Sequence, residues 1–225
     1  MKIKHYGVFN KQHKTLNWEN LRNDETEPSY FLPHKREEYI KQMGCGLHAE
    51  TAKVIINEAA GLGIDKVFSI GSGIAAQEYQ IKNQSDLHVV VSDYNPSVSR
   101  LKTFGIFDDV IRYDALKDPL PADHKTLVLF PRIDTEFEDE QLKAIFENCS
   151  KSNIQNICFI PAQLLTSNTV LSEVKVILIS LLKGKSRVFC GYSRSKAAFS
   201  KLWNGYYTIS KECFTDREFY FLKKI

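Results

Sequence analysis

The chain has 225 residues, enough for one compact domain with a sizeable core, and its hydrophobic and charged fractions, 43% and 25%, are those of an ordinary globular protein. Its 30 basic and 27 acidic residues nearly balance, so the net charge of +3 gives no sign of a nucleic-acid-binding surface. The five cysteines form no CxxC pair and show no metal-ligand spacing, which predicts no metal site and favours a reducing, cytoplasmic setting. No apolar run is long enough to cross a bilayer, so we expect no membrane association.

Residues 1–33 are polar, rich in aromatic side chains and interrupted by two prolines, which predicts an irregular segment. Residues 34–43 have a helical pattern that ends at a Gly-Cys-Gly break, and residues 49–60 carry apolar side chains at the spacing of one helix face. We therefore expect a helical and irregular N-terminal extension, residues 1–48, and a main domain, residues 49–225. The aromatic residues of the extension make it a candidate lid over a substrate site.

The main domain alternates short apolar runs with helical patterns. The runs lie at residues 66–70, 87–91, 110–113, 127–130 and 157–160. Continuous apolar runs are typical of strands that are buried on both faces, and strands that alternate with helices are typical of parallel sheets. The sequence therefore predicts an α/β fold with a doubly wound, mainly parallel sheet.

The alternation ends at the C-terminus. Helical patterns at residues 169–183 and 195–203 are followed by two strand-like runs, residues 206–210 and 219–222, with only a polar turn between them. Because no helix fits between these two runs, they should pair as an antiparallel hairpin. The expected sheet then has seven strands, and its last two form this hairpin.

A glycine turn, Gly71-Ser72-Gly73, follows the first predicted strand and precedes a helix. Its glycines can adopt positive φ and let a ligand approach the main chain, and the N–H groups of the helix that follows suit an anionic or polar ligand. Acidic residues follow the next two strands: Asp93, then Asp114, each about 20 residues beyond the preceding motif. The turn alone fits several nucleotide-like cofactors, including NAD.

Taken together, the turn, the two acids and the terminal hairpin resemble the class I S-adenosylmethionine-dependent methyltransferases over residues 50–225. In that family a glycine turn follows the first strand, an acid ends the second, an acid or amide follows the third, and the seventh strand is antiparallel. The resemblance implies a Rossmann-like fold and S-adenosylmethionine as the cofactor.

The resemblance also implies cofactor contacts. The glycine turn would admit the methionine and ribose portions, and Asp93 would accept hydrogen bonds from the ribose hydroxyls. Tyr94 would lie against the adenine, whose amino edge would meet Asp114 and Ala115. Pro131, after the fourth strand, would lie near the sulfonium and the methyl acceptor.

Two positions depart from the family pattern. The family often has an acid two residues before the first glycine, where this chain has Ser69. Members that methylate amino groups of nucleic-acid bases often carry an Asn/Asp-Pro-Pro-aromatic signature after the fourth strand, which the segment 130–134 does not match. We therefore expect a small-molecule acceptor and no nucleic acid.

Candidate acceptor contacts come from polar and aromatic residues near the expected site. They are Tyr30 in the extension, Arg132 after the fourth strand, and Tyr192 and Arg194 before the last helix. Two residues could serve as a general base for an acceptor hydroxyl: His34 and Asp134. Methyl transfer depends mainly on in-line positioning, so the sequence leaves open whether a base is used.

The leading hypothesis is a methyltransferase that uses S-adenosylmethionine to methylate oxygen or nitrogen of a small molecule. The glycine turn with Asp93 also fits an NAD-dependent oxidoreductase. Transfer of the aminocarboxypropyl group of the same cofactor, and a non-catalytic binding module with the same fold, remain open as well. The sequence also leaves open whether the protein forms a homodimer.

Overall fold

A seven-stranded sheet lies at the centre of the structure, a computed structural model that describes residues 1–5, 18–166, 168–171, 175, 178 and 191–225. The described strands are β1 Lys2–His5, β2 Lys66–Ile70, β3 His88–Asp93, β4 Asp109–Arg112, β5 Thr126–Pro131, β6 Asn156–Ile160, β7 Gly191–Arg194, β8 Tyr207–Phe214 and β9 Glu218–Lys224. The order in the sheet is β4-β3-β2-β5-β6-β9-β8, with β2 to β6 parallel and β9 antiparallel to both of its neighbours. The predicted doubly wound, mainly parallel sheet with a terminal hairpin is confirmed.

Helices cover both faces of this sheet. They are α1 Trp18–Asn23, α2 Arg36–Met43, α3 Ala49–Gly61, α4 Ala76–Gln84, α5 Val98–Phe104, α6 Asp139–Lys151 and α7 Lys196–Trp203, with a 3₁₀ turn at Ile133–Thr135. Successive strand residues face opposite layers: Val67 packs with the core of α2 to α5, and Phe68 with the core of α6 and α7. Because both faces are covered, the strands are apolar without alternation.

The segment predicted as an N-terminal extension packs onto the rest of the chain through α2. Tyr39 is fully buried in the core that α3, α4 and α5 share, and its hydroxyl donates to the carbonyl of Ile74 at 3.0 Å. Its ring lies 5.2 Å from that of Phe104 between centroids. The segment that leads from α1 to α3 is therefore held above the end of the sheet that carries the glycine turn.

The extension also contains order that the sequence did not predict. Residues 1–33 were expected to be irregular, but β1 pairs antiparallel with β7 in a separate two-stranded sheet, and α1 is helical. The partner strand is far away in the chain, and four residues with alternating lysines carry little local signal. Of the helix predicted at 169–183, residues 168–171 are helical, and most of the rest lies outside the described residues.

Strand β7 ends in a buried cation, Arg194. Its side chain has no solvent exposure; Nε donates to Oδ1 of Asp139 at 2.8 Å, and the terminal nitrogens donate to the carbonyls of Asp134 and Phe137. Tyr192 on the same strand is also buried, and its hydroxyl donates to Glu138. These bonds attach β7 to the segment that leads into α6. The structure thus gives both residues structural roles in place of the predicted substrate contacts.

We expect Arg194→Met to lower the free energy of unfolding by about 3 kcal/mol, because it leaves the carbonyls of Asp134 and Phe137 without their donor and removes one of the two cations that bind Asp139. Urea unfolding measures the loss. Lys196→Met is the matched control: this lysine pairs with Glu212 at the surface, so the cost should stay below about 1 kcal/mol. Equal stabilities for the two variants would contradict the structural role of Arg194.

Candidate active site

A cavity of about 1230 Å³ lies at the carboxyl ends of β2, β3, β4 and β5. Parallel strands all present their carboxyl ends at the same edge of a sheet, and that edge is where ligands bind in open α/β folds. The residues predicted to contact a cofactor all line this cavity: Gly71, Ser72, Gly73, Asp93, Tyr94, Asp114, Ala115 and Pro131. The topology therefore brings together motifs that are far apart in the chain.

The glycine turn forms the floor of the cavity between β2 and α4. Gly71 and Gly73 have φ values of 70° and 62°, and a Cβ on Gly71 would collide with the side chain of Ile133. Asp93 ties the turn to the end of β3: Oδ2 accepts from the amide of Gly73 at 2.8 Å, and Oδ1 accepts from the amide of Asn95 at 2.8 Å. Carboxylate oxygens can accept further bonds, so Asp93 can still bind a hydroxyl group.

The neighbouring wall carries Asp114 and Tyr94. Oδ1 of Asp114 accepts from the amide of Leu116 at 3.0 Å, and Oδ2 lies 3.2 Å from Nζ of Lys117. The Tyr94 ring is 62% exposed, with the Arg112 guanidinium 5.7 Å from its centroid. An exposed aromatic ring beside a held carboxylate can stack on a planar heterocycle and leave a polar edge available to it.

A buried carboxyl group that the sequence did not single out lies beside the turn. Glu78 in α4 is fully buried, lines the cavity and accepts a hydrogen bond from the hydroxyl of Ser69. Burial raises the pKa of Glu78 to about 7, although the bond from Ser69 acts in the opposite direction. A carboxyl group thus lies next to position 69, where the sequence has serine. The sequence did not indicate Glu78 because it lies within a helix, whereas the predicted site acids were recognised by their position directly after a strand.

The N-terminal extension closes one side of the cavity with Trp18, Arg22 and Tyr30, the last of these a predicted substrate contact. Arg22 is 7% exposed, donates to the carbonyl of Tyr30 at 3.0 Å, and has one terminal nitrogen beside Gly73. Burial lowers the pKa of Arg22, while the charge of Asp93 opposes this shift. A cation is therefore held at the glycine turn.

The opposite end of the cavity, beyond β5, gathers Arg132, Arg217 and His48. Arg132, a predicted substrate contact, and His48 both have left-handed backbones, with φ values of 66° and 67°. Nδ1 of His48 lies 3.3 Å from Oδ2 of Asp216. Burial, reinforced by the charge of Arg217, lowers the pKa of His48, so the imidazole is neutral near pH 7.

Asp216, in the turn between β8 and β9, holds this end together. Its carboxylate accepts from Thr51 at 3.0 Å and from Nη2 of Arg217 at 3.1 Å. Burial alone would raise the pKa of Asp216, but Arg217 and the threonine hydrogen bonds outweigh it and lower the pKa to about 2. The carboxylate is thus ionised beside His48 throughout the physiological range.

The structure does not bring His34 and Asp134 to the cavity. His34 is exposed just before α2, and neither residue is among the described residues that line the cavity. Asp134 is fully buried in the 3₁₀ turn, where Oδ1 accepts from the amide of Ala162 at 2.7 Å, and burial raises its pKa to about 6. Among the described residues, the histidine that lines the cavity is instead His48. The sequence did not reveal it because it lies between two helices without a motif.

No family model matches the sequence, and no curated protein does. Among solved structures, human N-acetylserotonin methyltransferase in complex with S-adenosylmethionine superposes with a TM-score of 0.58 at 15% identity, over 84% of this chain and 56% of that one. Magnesium protoporphyrin IX methyltransferase of Synechocystis, with bound S-adenosylhomocysteine, superposes with a TM-score of 0.56 at 11% identity, over 79% of this chain and 83% of that one. An O-methyltransferase family 2 protein of Planctomyces limnophilus in complex with apigenin superposes with a TM-score of 0.52 at 13% identity, over 71% of this chain and 51% of that one.

These likenesses show the fold: the chain shares the Rossmann-like α/β architecture of these three methyltransferases. It spans about half the length of the first and third of these proteins. No helix among the described residues has the length and apolar character needed to span a membrane. Nor does the described part of the chain contain a cluster of three or more His, Cys, Asp or Glu side chains suited to a metal ion.

We expect Glu78→Gln to stabilise the ligand-free protein at pH 8 and to change its stability little at pH 5. Because the pKa rises from 4.5 to about 7 on folding, the folded state penalises the charged form. The free energy of unfolding therefore falls as the pH rises from 4.5 to about 7. Because each pKa unit corresponds to about 1.4 kcal/mol, the total loss is about 3 kcal/mol. Urea unfolding at both pH values, with the exposed Glu37→Gln as control, measures it. The same difference at both pH values would refute this assignment.

Proposed function

We propose that this protein binds S-adenosylmethionine and transfers its methyl group to a small-molecule acceptor. The observation that carries the proposal is Asp93, whose carboxylate joins the positive-φ glycine turn to the end of β3, one strand away from Asp114. This arrangement suits a ribose and an adenine side by side. The cavity volume of about 1230 Å³ exceeds the usual range for a single ligand site and suits a cofactor together with an acceptor.

The residues present fit the cofactor. Gly71 has no room for a Cβ because Ile133 packs against it, and its left-handed φ of 70° permits the tight turn whose main chain would line the ligand site. Asp93 would accept from the ribose hydroxyls, and Asp114 with Ala115 would bind the adenine edge beside Tyr94. When bound, the cofactor supplies an electrophilic methyl group on a sulfonium.

Two charged groups beside the turn match the two charges of the methionine portion. The Glu78 carboxyl, next to Ser69, would accept from the ammonium group, and a cationic ligand would favour its ionised form. Arg22, beside Gly73, would bind the carboxylate. Glu78 would thus serve in place of the acid that the family often has at position 69.

His48 is the proposed general base for an acceptor hydroxyl. Its Nδ1 faces the Asp216 carboxylate, which would hold the proton there and leave Nε2 free to accept a proton from the acceptor. The left-handed backbone at His48 and the hydrogen bonds of Asp216 to Thr51 would fix the imidazole in place. The wall formed by Trp18 and Tyr30 supports the proposal that residues 1–48 act as a lid that excludes water.

Calorimetry with S-adenosylmethionine, S-adenosylhomocysteine and NADH tests the cofactor. Asp93→Ala should weaken binding of both sulfur ligands by about 1–3 kcal/mol, roughly 5- to 150-fold, because a charged acceptor is lost. Asp86→Ala, at an exposed position before β3, should leave the affinity unchanged. Binding of NADH alone would favour an oxidoreductase, and no binding of any ligand would refute a cofactor site. Methylthioadenosine as the product would instead mark aminocarboxypropyl transfer.

His48→Gln should lower kcat about 100-fold or more with an acceptor hydroxyl, without changing the affinity for S-adenosylhomocysteine. In the unmodified protein, kcat/KM should rise with pH and level off, with an apparent pKa below 6.5, because the lowered pKa of His48 keeps the base neutral above that point. Release of S-adenosylhomocysteine measures the rate. His34→Gln, remote from the cavity, is the control. A pH profile that is unchanged in His48→Gln would rule out this base.

A further inference from the structure

Arg132, the residue directly after β5, has an energetically unfavourable backbone conformation. Its φ of 66° is left-handed, a conformation that costs a side-chain-bearing residue roughly 1–2 kcal/mol. Its amide donates to the carbonyl of Ile160 at 2.8 Å, so the residue is fixed between the ends of β5 and β6. Backbone strain of this kind concentrates at ligand sites, where the surrounding structure holds it in place.

The guanidinium of Arg132 has five N–H donors, yet within the described part of the chain it makes no hydrogen bond and no ion pair. It lines the cavity, where the charge of Arg217 opposes its own, while the acids Asp134 and Asp216 attract it more weakly. Burial lowers the pKa of Arg132, and the charge of Arg217 lowers it further. Arg132 is exposed to the cavity, so its donors are accessible to a ligand oxyanion, and the like charge of Arg217 beside it favours the binding of an anion there.

Charge is divided along the cavity. The end at β3 and β4 carries acids: Glu78, Asp93, Asp114 and Glu136. The cations at that end are balanced, since Lys117 lies 3.2 Å from Asp114 and Arg22 is attracted by Asp93. The end beyond β5 carries Arg132, Arg217 and His48 against the single surface acid Asp216, which already binds Arg217 at 3.1 Å. The residues that line this end therefore carry more cations than acids, although the buried Asp134 also attracts Arg132.

We propose that Arg132, supported by Arg217, forms a subsite for an anionic group, a carboxylate or a phosphate, and that the acceptor is an acidic small molecule. Its role as an acceptor subsite rests on the proposed methyl transfer; the anion site itself does not. A guanidinium presents paired donors that match such oxyanions. An anion here would also offset the positive charge of the nearby sulfonium, which a neutral acceptor would not.

Calorimetry with three probes tests the subsite: inorganic phosphate, 4-hydroxybenzoate and its neutral analogue 4-hydroxybenzamide. In the unmodified protein saturated with S-adenosylhomocysteine, at least one anion should bind, and the benzamide should bind at least 10-fold more weakly than the benzoate if the group is a carboxylate. Preference for phosphate over benzoate would identify a phosphate site instead. A bound anion should also raise the pKa of His48 in an NMR titration, because it offsets the neighbouring cations.

Arg132→Met should lose at least 10-fold in affinity for the preferred anion, and Arg132→Lys should lose less. Arg132→Gly suits the left-handed backbone and keeps the proposal testable if Arg132→Met folds poorly. Arg112→Met, on the cofactor side beside Tyr94, should leave anion binding unchanged. Anion affinities that do not depend on Arg132 would overturn the subsite even if S-adenosylmethionine binds. Binding that depends on Arg132 without any binding of S-adenosylmethionine would keep the subsite and reject the methyltransferase.

Discussion

The cavity depends on one constraint: the turn after β2 must reverse within three residues and stay in contact with the end of β3. Left-handed glycines permit the reversal, and Asp93 holds it by accepting from the amides of Gly73 and Asn95. The hydroxyl of Ser92 adds a bond to the carbonyl of Ser69 at 2.6 Å. Because α4 begins at this turn, the position of Glu78 follows from the same bonds. A shift of the turn would therefore change the position of Glu78 relative to Asp93.

The residues that line the cavity are collectively unfavourable for the stability of the empty protein. Glu78 is a buried carboxyl group with a pKa raised to about 7, Arg22 is a buried cation, and Arg132 and His48 have left-handed backbones. Each feature costs free energy unless a ligand compensates for it. Their concentration at one edge of the sheet, above a close-packed aromatic core, is the pattern expected of a binding site rather than of an accident of packing.

The sheet and the side of the cavity that carries Asp93 and Asp114 could be predicted from the sequence because their signals are local. Buried strands read as apolar runs, and Asp93 and Asp114 come directly after strands whose ends must meet. The other side could not be predicted, because His48, Glu78 and Arg217 belong to a loop, a helix and a turn that only tertiary packing brings to the cavity. His34, Asp134 and Arg194 lie outside the described lining of the cavity for the same reason. Position in the chain does not reveal which side chains become buried when β7 pairs with β1.

The antiparallel hairpin has a consequence for the site as well as for the fold. Strand β9 runs opposite to β6, with Phe159 paired with Tyr220, so β9 begins where the parallel strands end. The turn 215–217 that precedes it is therefore carried to the cavity edge of the sheet. There the Thr51 hydroxyl donates to Asp216 at 3.0 Å and shares a hydrogen bond of 2.6 Å with the Thr215 hydroxyl, which fixes the turn against α3. If the last strand were parallel, it would begin at the opposite edge of the sheet, and the turn that precedes it would lie there, away from the cavity. The reversal of that strand thus places Asp216 beside His48 and Arg217 within the cavity.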